Sequence, residues 1–424
     1  MGFSTLNEWL EFQQGINPKE IDLSLDRVQT LYNKLQINNP KKNVFLIGGT
    51  NGKGTTTSIL EQLFHKKGYK TGAFTSPHLT QYNERVRINL NNSFDQDWVS
   101  AFEIIEAVRG DVSLTYFEFS TLAAFQILSN HECDAWFIEV GLGGRLDATN
   151  IIESSVSVLT SIAMDHEEWL GDSIDKIAKE KVGIAKRNRP LIFGDVVAVD
   201  VIQAGSLEKG AELRKKGEDF NGRIDQGHYS FNGVHQSIEE IVLPKSWGDG
   251  EIDNLTTALA AMEANEQFFP THDLLQEIID EFILPGRFEL LDLHHRWILD
   301  VAHNPSAAEN LRQRIDRSKI NSDFSMIFSM MKDKHLELYL NAFKDLVDTW
   351  IICEMKTERS FRVKQIESKM NNMGIDNIYC ARSPVDAIKT LEKNVGLSNN
   401  VIVSGSFELV GPIREFLLNS QGKI

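Results

Sequence analysis

"NVFLIGGTNGKGTTTSIL", residues 43–60, decides the fold. "NVFLIGG" (43–49) reads as a buried strand, and "TTSILEQLFHKKG" (56–68) as a helix with Ile59, Leu60 and Leu63 on one face. Between them lies a glycine-rich turn with one lysine and several hydroxyls. Glycines there let successive backbone N–H groups turn inward at the N-terminus of a helix whose dipole favours an anion. The lysine adds a point charge on outer phosphates, and a hydroxyl reaches a metal. The spelling is unusual, because Gly54 separates Lys53 from Thr55 where the common loop has Gly-Lys-[Ser/Thr]. A tight turn without a ligand is the plain alternative. Strand, glycines, lysine, hydroxyls and helix in the right order favour phosphate binding.

The pattern continues outward. "KTGAF", "DAWFIEVG" (134–141), "SVSVLTSI" (155–162) and "RPLIFGD" (189–195) are strand-like, with helical stretches such as "DQDWVSAFEIIEAVRG" and "FSTLAAFQILSN" between several of them. Alternation of this kind implies parallel βαβ units with helices on both faces. From about 211 to 243 the chain turns polar and short-period, more like an antiparallel hairpin set, and two helical stretches follow. "LPGRFELL" (284–291) breaks the pattern with Pro285-Gly286, after which "RWILDVAH", "FSMIFSM", "DTWIICEM" and "NNVIVSGS" restart it. The expected fold is α/β: a P-loop-type, mainly parallel sheet in an N-terminal domain (1–285) and a smaller Rossmann-like α/β C-terminal domain (286–424).

A chain of 424 residues exceeds what one core usually supports, which agrees with two domains. A formal net charge of −16 argues against a nucleic-acid partner, whose footprint would be basic, but not against an anionic small molecule met by a few local cations. Cys133, Cys353 and Cys380 lie too far apart for a zinc set or disulfide framework. "MGFSTLNEWLEFQQG" lacks the basic-then-apolar pattern of a secretion signal, and no apolar run is long enough to span a bilayer. A cytoplasmic protein with no membrane partner is expected, and a monomer.

Polar residues gather after the strands. "FTSPHLTQYNERVRINL" (74–90) reads as a long loop with Ser76, His78, Arg85 and Arg87. Glu139 falls near the end of a buried strand, where an unpaired carboxylate is expensive, and Asp165 and His166 follow another. Ligands of open α/β sheets collect outside the carboxyl ends of the strands. A hydroxyl, a carboxylate and an imidazole there, Ser76, Glu139 and His166, suit a Mg²⁺ that keeps some waters. A capping serine, a paired core glutamate and a satisfied histidine are the plain alternatives; their shared position favours the metal.

"GTNGKGT", "TSPHL…ERVRI", "EVGLGGRLDATN", "TSIAMDH", "EKVGI", "LPGRFE", "LDVAHNP" and "SGSF", in this order and across essentially the whole chain, resemble the folylpolyglutamate synthase family. That family belongs to the ATP-dependent amide ligases that include the Mur ligases. "RGDVSLTYFEFSTLAAF" and "DHEEWLG" look most like its bifunctional bacterial members, which are also dihydrofolate synthases. The resemblance implies ATP phosphates on the loop Thr50, Asn51, Gly52, Lys53, Gly54 and Thr55, and Mg²⁺ on Ser76, Glu139 and His166. Lys181 matches a lysine carbamylated in relatives. Asn254, Arg287 and Asp300 match nucleotide-binding positions. Asp22 and Leu23, Thr115, Tyr116, Phe117 and Glu118, and Leu146, Asp147 and Ala148 match segments enclosing the pterin, although Tyr116 and Phe117 read equally as core. Asp300, His303, Ser404 and Ser406 fall near the implied glutamate and transfer region, with His303 as a loop-capping residue the alternative.

The implied reaction activates a carboxylate of dihydropteroate or of a folate with ATP and couples it to L-glutamate, with Lys53, His166, Lys181, Asp300 and His303 nearest the chemistry. A folate-only polyglutamate synthase, a Mur-type ligase with another acceptor, and a P-loop switch protein are the rival readings.

Overall fold

The computed structural model describes residues 3–17, 22–320, 323–394 and 400–420. The chain divides into two compact units, Met1–Leu243 with Glu251–Asp280, and Pro244–Gly250 with Glu281–Ile424. Residues 244–250 thus group with the later unit, against their place in the chain. Gly250 N–H donates to Asn310 Oδ1 (3.2 Å) and Arg314 Nε to Ser246 O (2.9 Å), tethers that chain order hides.

The first unit is built on eight strands: β1 (Val44–Gly48), β2 (Thr71–Phe74), β3 (Val86–Ile88), β4 (Asn91–Asn92), β5 (Ala135–Glu139), β6 (Val156–Leu159), β7 (Pro190–Phe193) and β8 (Glu212–Lys215). Their order across the sheet is β4-β3-β2-β5-β1-β6-β7-β8. From β2 to β8 every pairing is parallel; β3 and β4 add an antiparallel edge. Sequential strands β1 and β2 are separated by β5, so chain order reverses around β1. That is where such sheets open a crevice. β1 is buried along its whole length. Helices must therefore cover both of its faces, which explains its continuous apolar run. Phe45 packs 5.4 Å from Phe64 of the following helix and 5.3 Å from Phe137 of β5, ring centre to ring centre. All three rings are fully buried, each stabilising the unit by roughly 1.5–3 kcal/mol.

Three local expectations need correction. The helix after the glycine-rich turn begins at Lys53, not Thr56, and the helix expected from Phe119 begins at Tyr116. Thr115 starts the latter with a capping box: its side chain accepts from Glu118 N–H while the Glu118 carboxylate accepts from Thr115 N–H (2.7 Å). The segment 74–90 is not one long loop. It contains a 3₁₀ turn (Tyr82–Arg85) and then β3, whose three residues pair with β2. Finally, the hairpin texture covers only β9 (Asn221–Asp225), β10 (His228–Asn232) and β11 (Ser237–Val242), an antiparallel sheet; β8 joins the main sheet parallel to β7.

The second unit carries β12 (Glu289–Asp292), β13 (Arg296–Leu299), β14 (Phe324–Phe328), β15 (Val347–Cys353), β16 (Ile378–Ala381) and β17 (Asn400–Ser404), ordered β12-β13-β17-β14-β15-β16. Only the β12–β13 pair is antiparallel. Its core gathers Phe328, Tyr339 and Trp350, with the helices Pro305–Ser318 and Val363–Asn372 packed into it. Among the described residues no helix is long and apolar enough to cross a membrane.

Candidate active site

In the first unit the glycine-rich turn leaves β1 at Gly48 and enters the helix Lys53–Lys66. Gly52 has φ 87°, and a Cβ on it would collide with the carboxamide of Asn254. Only glycine satisfies both demands. Gly54 has ordinary helical backbone, and a Cβ there would meet just one described atom, Glu139 Oε2 at 3.9 Å. The inserted glycine therefore leaves space between the loop and the strand-end carboxylate.

The turn is held open by the segment after β6. Thr50 N–H donates to Ser161 O (2.6 Å), Asn51 N–H to Ser161 Oγ (3.0 Å), and Thr160 Oγ1 to Asn51 O (2.6 Å). Ala163 N–H donates to Thr50 Oγ1 (3.0 Å). Asp195 fixes that segment in turn by accepting from Ile162 N–H (2.8 Å). Lys53 Nζ donates to Gly49 O (3.2 Å) and Thr50 O (3.1 Å), curling over its own loop.

Around the turn stand the charged residues. Glu139 ends β5, buried, with Ser76 N–H donating to its Oε2 (3.3 Å). Asp165 and His166 lie beyond the gripping segment, His166 with left-handed backbone (φ 52°). Lys181 closes the helix Ile174–Lys181 and is 4% exposed, its Nζ donating to Gly49 O (2.8 Å). Burial, and then the charge of Lys53, bring its pKa down to about 7, against the opposing pull of Asp165 and Asp147. The structure thus gathers Lys53, Lys181, Glu139, Ser76 and Asn254 on one loop.

The segments matched to a pterin pocket are also linked within this unit. Arg27 Nε donates to both carboxylate oxygens of Glu118 (2.8 and 2.9 Å), and its Nη1 to Asp22 Oδ2 (2.8 Å). Glu118 and Thr115 are buried and joined to each other and, through Glu118, to Arg27. Asp147 is likewise consumed internally, accepting from Leu142 N–H (2.7 Å), Thr149 N–H (2.9 Å) and Thr149 Oγ1 (2.5 Å); burial raises its pKa. Tyr116 and Phe117 stay partly exposed, and a Cβ on Gly141 would run into the Phe117 ring.

In the second unit Asp300 accepts from Phe288 N–H (2.8 Å) and Ala302 N–H (2.8 Å), pinning the Arg287–Phe288 turn to the end of β13; burial raises its pKa against the nearby Arg287 charge. His303 Nδ1 donates to Val301 O (2.9 Å), since a carbonyl can only accept, which leaves Nε2 as the acceptor in the neutral ring. Asn304, not His303, caps the helix Pro305–Ser318, accepting from Ala307 N–H (2.9 Å). Ser404 and Ser406, expected near the glutamate, both have partners within the second unit. Ser404 is fully buried between Tyr339 OH (2.7 Å) and Ala302 O (3.3 Å), and buried Ser406 accepts from Leu409 N–H (3.2 Å) at the start of the last helix.

Sequence reading overlooked Arg27, Thr160, Ser161 and Asp195. A hydroxyl pair directly after a strand that neighbours the glycine-rich turn was the available signal for Thr160 and Ser161. Arg27 and Asp195 join segments distant in the chain and left none.

The Mur ligase middle domain matches residues 47–261, and the Mur ligase, glutamate ligase domain matches residues 286–407. The class is therefore that of the Mur-type ligases. The Escherichia coli (strain K12) dihydrofolate synthase/folylpolyglutamate synthase is 36% identical over 415 residues, spanning 98% of this chain and 96% of that protein. Solved structures similar to this chain include E. coli FolC in complex with DHPP and ADP, with a TM-score of 0.92 at 35% identity over 99% of both chains. Another is a bifunctional folylpolyglutamate synthase/dihydrofolate synthase with Mn, AMPPNP and L-glutamate bound, with a TM-score of 0.88 at 31% identity over 98% of both chains. The chain belongs to the dihydrofolate synthase/folylpolyglutamate synthase family.

Proposed function

We propose that this chain adds L-glutamate to dihydropteroate, forming dihydrofolate, and to the γ-carboxylate of folates, as an ATP-dependent, ADP-forming amide ligase of the cytoplasm that acts as a monomer. The observation carrying this reading is the loop on which Lys53, Lys181 and Glu139 meet at the ends of β1 and β5. The acceptor carboxylate attacks the γ-phosphorus of ATP, giving an acyl phosphate and ADP. The glutamate amine then attacks the acyl carbon, loses a proton and expels phosphate.

The chain's part is positioning and charge neutralisation, which phosphoryl transfer needs more than a protein nucleophile. The N–H groups of Gly52, Lys53, Gly54 and Thr55 cradle the phosphates. Lys53 swings from the carbonyls of Gly49 and Thr50 to the outer phosphates. A hydroxyl, a carboxylate and an imidazole beside a phosphate loop suit a Mg²⁺ that keeps some of its waters. Ser76, Glu139 and His166 would hold it, and it would neutralise developing phosphate charge. Lys181, buried with a pKa near 7, holds a large fraction of free amine, the form that takes up CO₂ as a carbamate with loss of one proton. In the second unit Asp300 fixes the turn that carries Arg287, and Val301 O fixes the His303 ring; both residues match positions that serve the nucleotide and the glutamate in the family.

Purified protein given ATP, Mg²⁺, L-glutamate and either dihydropteroate or tetrahydrofolate is expected to release phosphate and form amide with both acceptors. Turnover with tetrahydrofolate alone would reduce it to a folate-only ligase; ATP hydrolysis independent of glutamate would make it a switch-type NTPase.

A further inference from the structure

His78, Arg85 and Arg87 have no part in the reaction above. Arg87 is accounted for by the fold: its Nε and Nη2 donate to buried Glu61 Oε2 (2.9 and 2.7 Å) and its Nη1 to Thr75 Oγ1 (3.2 Å). Arg85 differs. It is 8% exposed, its Nε donates to His78 Nδ1 (3.0 Å), and its guanidinium lies 5.1 Å from the Tyr82 ring centre and 5.8 Å from that of Tyr116. Among the described residues no carboxylate pairs with it and its terminal nitrogens find no acceptor, though they keep contact with solvent.

Every neighbour is neutral. His78 uses its Nδ1 lone pair to accept from Arg85 Nε–H, so that ring nitrogen carries no proton toward the guanidinium. Tyr82 OH donates to Ser120 Oγ (2.6 Å), because Ser120 Oγ itself donates to Tyr116 O (2.8 Å); burial pushes both phenols upward. Contact with the rings is worth ~0.5–2 kcal/mol and orients the guanidinium without cancelling its charge. A cation this deep with no counter-ion is costly, and its free edge is a planar fork matched to a carboxylate. The cradle is rigid, with Tyr82 packed 4.6 Å from Trp98. It also stands beside the reaction site: Thr75 N–H donates to Arg85 O (2.9 Å), and Ser76 follows.

We propose that Arg85 is the anion anchor of the acceptor site, binding a carboxylate of the pteroate or folate through its terminal nitrogens, with His78, Tyr82 and Tyr116 as its neutral cradle. The proposal rests on the folate-ligase reading and adds the group that recognises the acceptor's charge. Calorimetric titration with two probes tests it: dihydropteroate, and the same pterin–aniline skeleton without its carboxylate. In wild type the carboxylate probe binds more tightly. Arg85→Gln weakens dihydropteroate roughly 10- to 100-fold, the range of a lost charge-assisted bond, and the carboxylate-free probe less than about twofold. Arg85→Lys keeps part of the difference. Titration with ADP reports whether each variant is folded. Equal binding of dihydropteroate by wild type and both variants, or equal loss of both probes, overturns the anchor while leaving the ligase reading standing. A wild-type protein that binds neither probe overturns the ligase reading and the anchor with it.

Discussion

Two glycines two positions apart in the phosphate loop have opposite demands on them. Gly52 is held at positive φ against Asn254, so Gly52→Ala combines backbone strain with a collision and is expected to cost about 1–3 kcal/mol in urea unfolding. Gly54 sits in regular helix with open space, where alanine is the better helix former by ~0.5–1 kcal/mol. Gly54→Ala should therefore fold at least as well as wild type yet bind ATP and Mg²⁺ more weakly, because its methyl group occupies the gap facing Glu139. Unchanged metal dependence in Gly54→Ala would remove the gap from the account. Lys53→Ala is expected to cut ATP-dependent amide formation by about 10²–10³-fold, the scale of one lost electrostatic stabiliser, with little change in melting temperature. Phosphate release at the wild-type rate would refute it.

At the scale of elements, the strand–turn–helix around Lys53 and the central strands were readable because each is a long apolar run bounded by turn residues. The three-residue β3 was not, since its alternation is too short to stand out from the polar loop around it. β8 was missed for a related reason: "ELRK" is an edge strand whose side chains are exposed or half-buried. The internal partners of Ser404 and Ser406 were not readable, because a hydroxyl in a glycine-containing turn looks the same whether it faces a ligand or the protein. Another pairing without sequence signal is Lys186, whose Nζ donates to Asn150 O (2.8 Å) and Oδ1 (3.1 Å) and pins the 141–150 segment. Burial lowers its pKa from 10.5 to about 8. Between those values the unfolded chain binds the extra proton, so stability should rise with pH from about 8 towards 10.5, and the full burial penalty applies below 8. Lys186→Met removes this slope. The stability difference between wild type and variant should grow on the order of 1–2 kcal/mol in favour of wild type from pH 8 to 10, read by urea midpoints; parallel pH curves would contradict it.

For the whole molecule, a net charge of −16 surrounds a site that takes anionic substrates. At long range the field repels them, and only near the loop do Lys53 and Arg85 reverse it. Raising ionic strength from about 0.01 to 0.15 M shortens the screening length from roughly 30 to 8 Å. The second-order rate constant for acceptor capture should then rise, more steeply for folates carrying extra γ-glutamates. A fall with salt would mean that local cations dominate the approach. A different consequence follows from how the phosphate turn is held. Asn51 is tied to Ser161, 110 residues onward, and Gly49 to Lys181, 132 residues onward. A chain emerging from the ribosome carries the glycine-rich motif long before it carries the pocket. Nucleotide can therefore reward only the completed first unit, never a partial one, and ligand-dependent protection from proteolysis should appear late and all at once during folding.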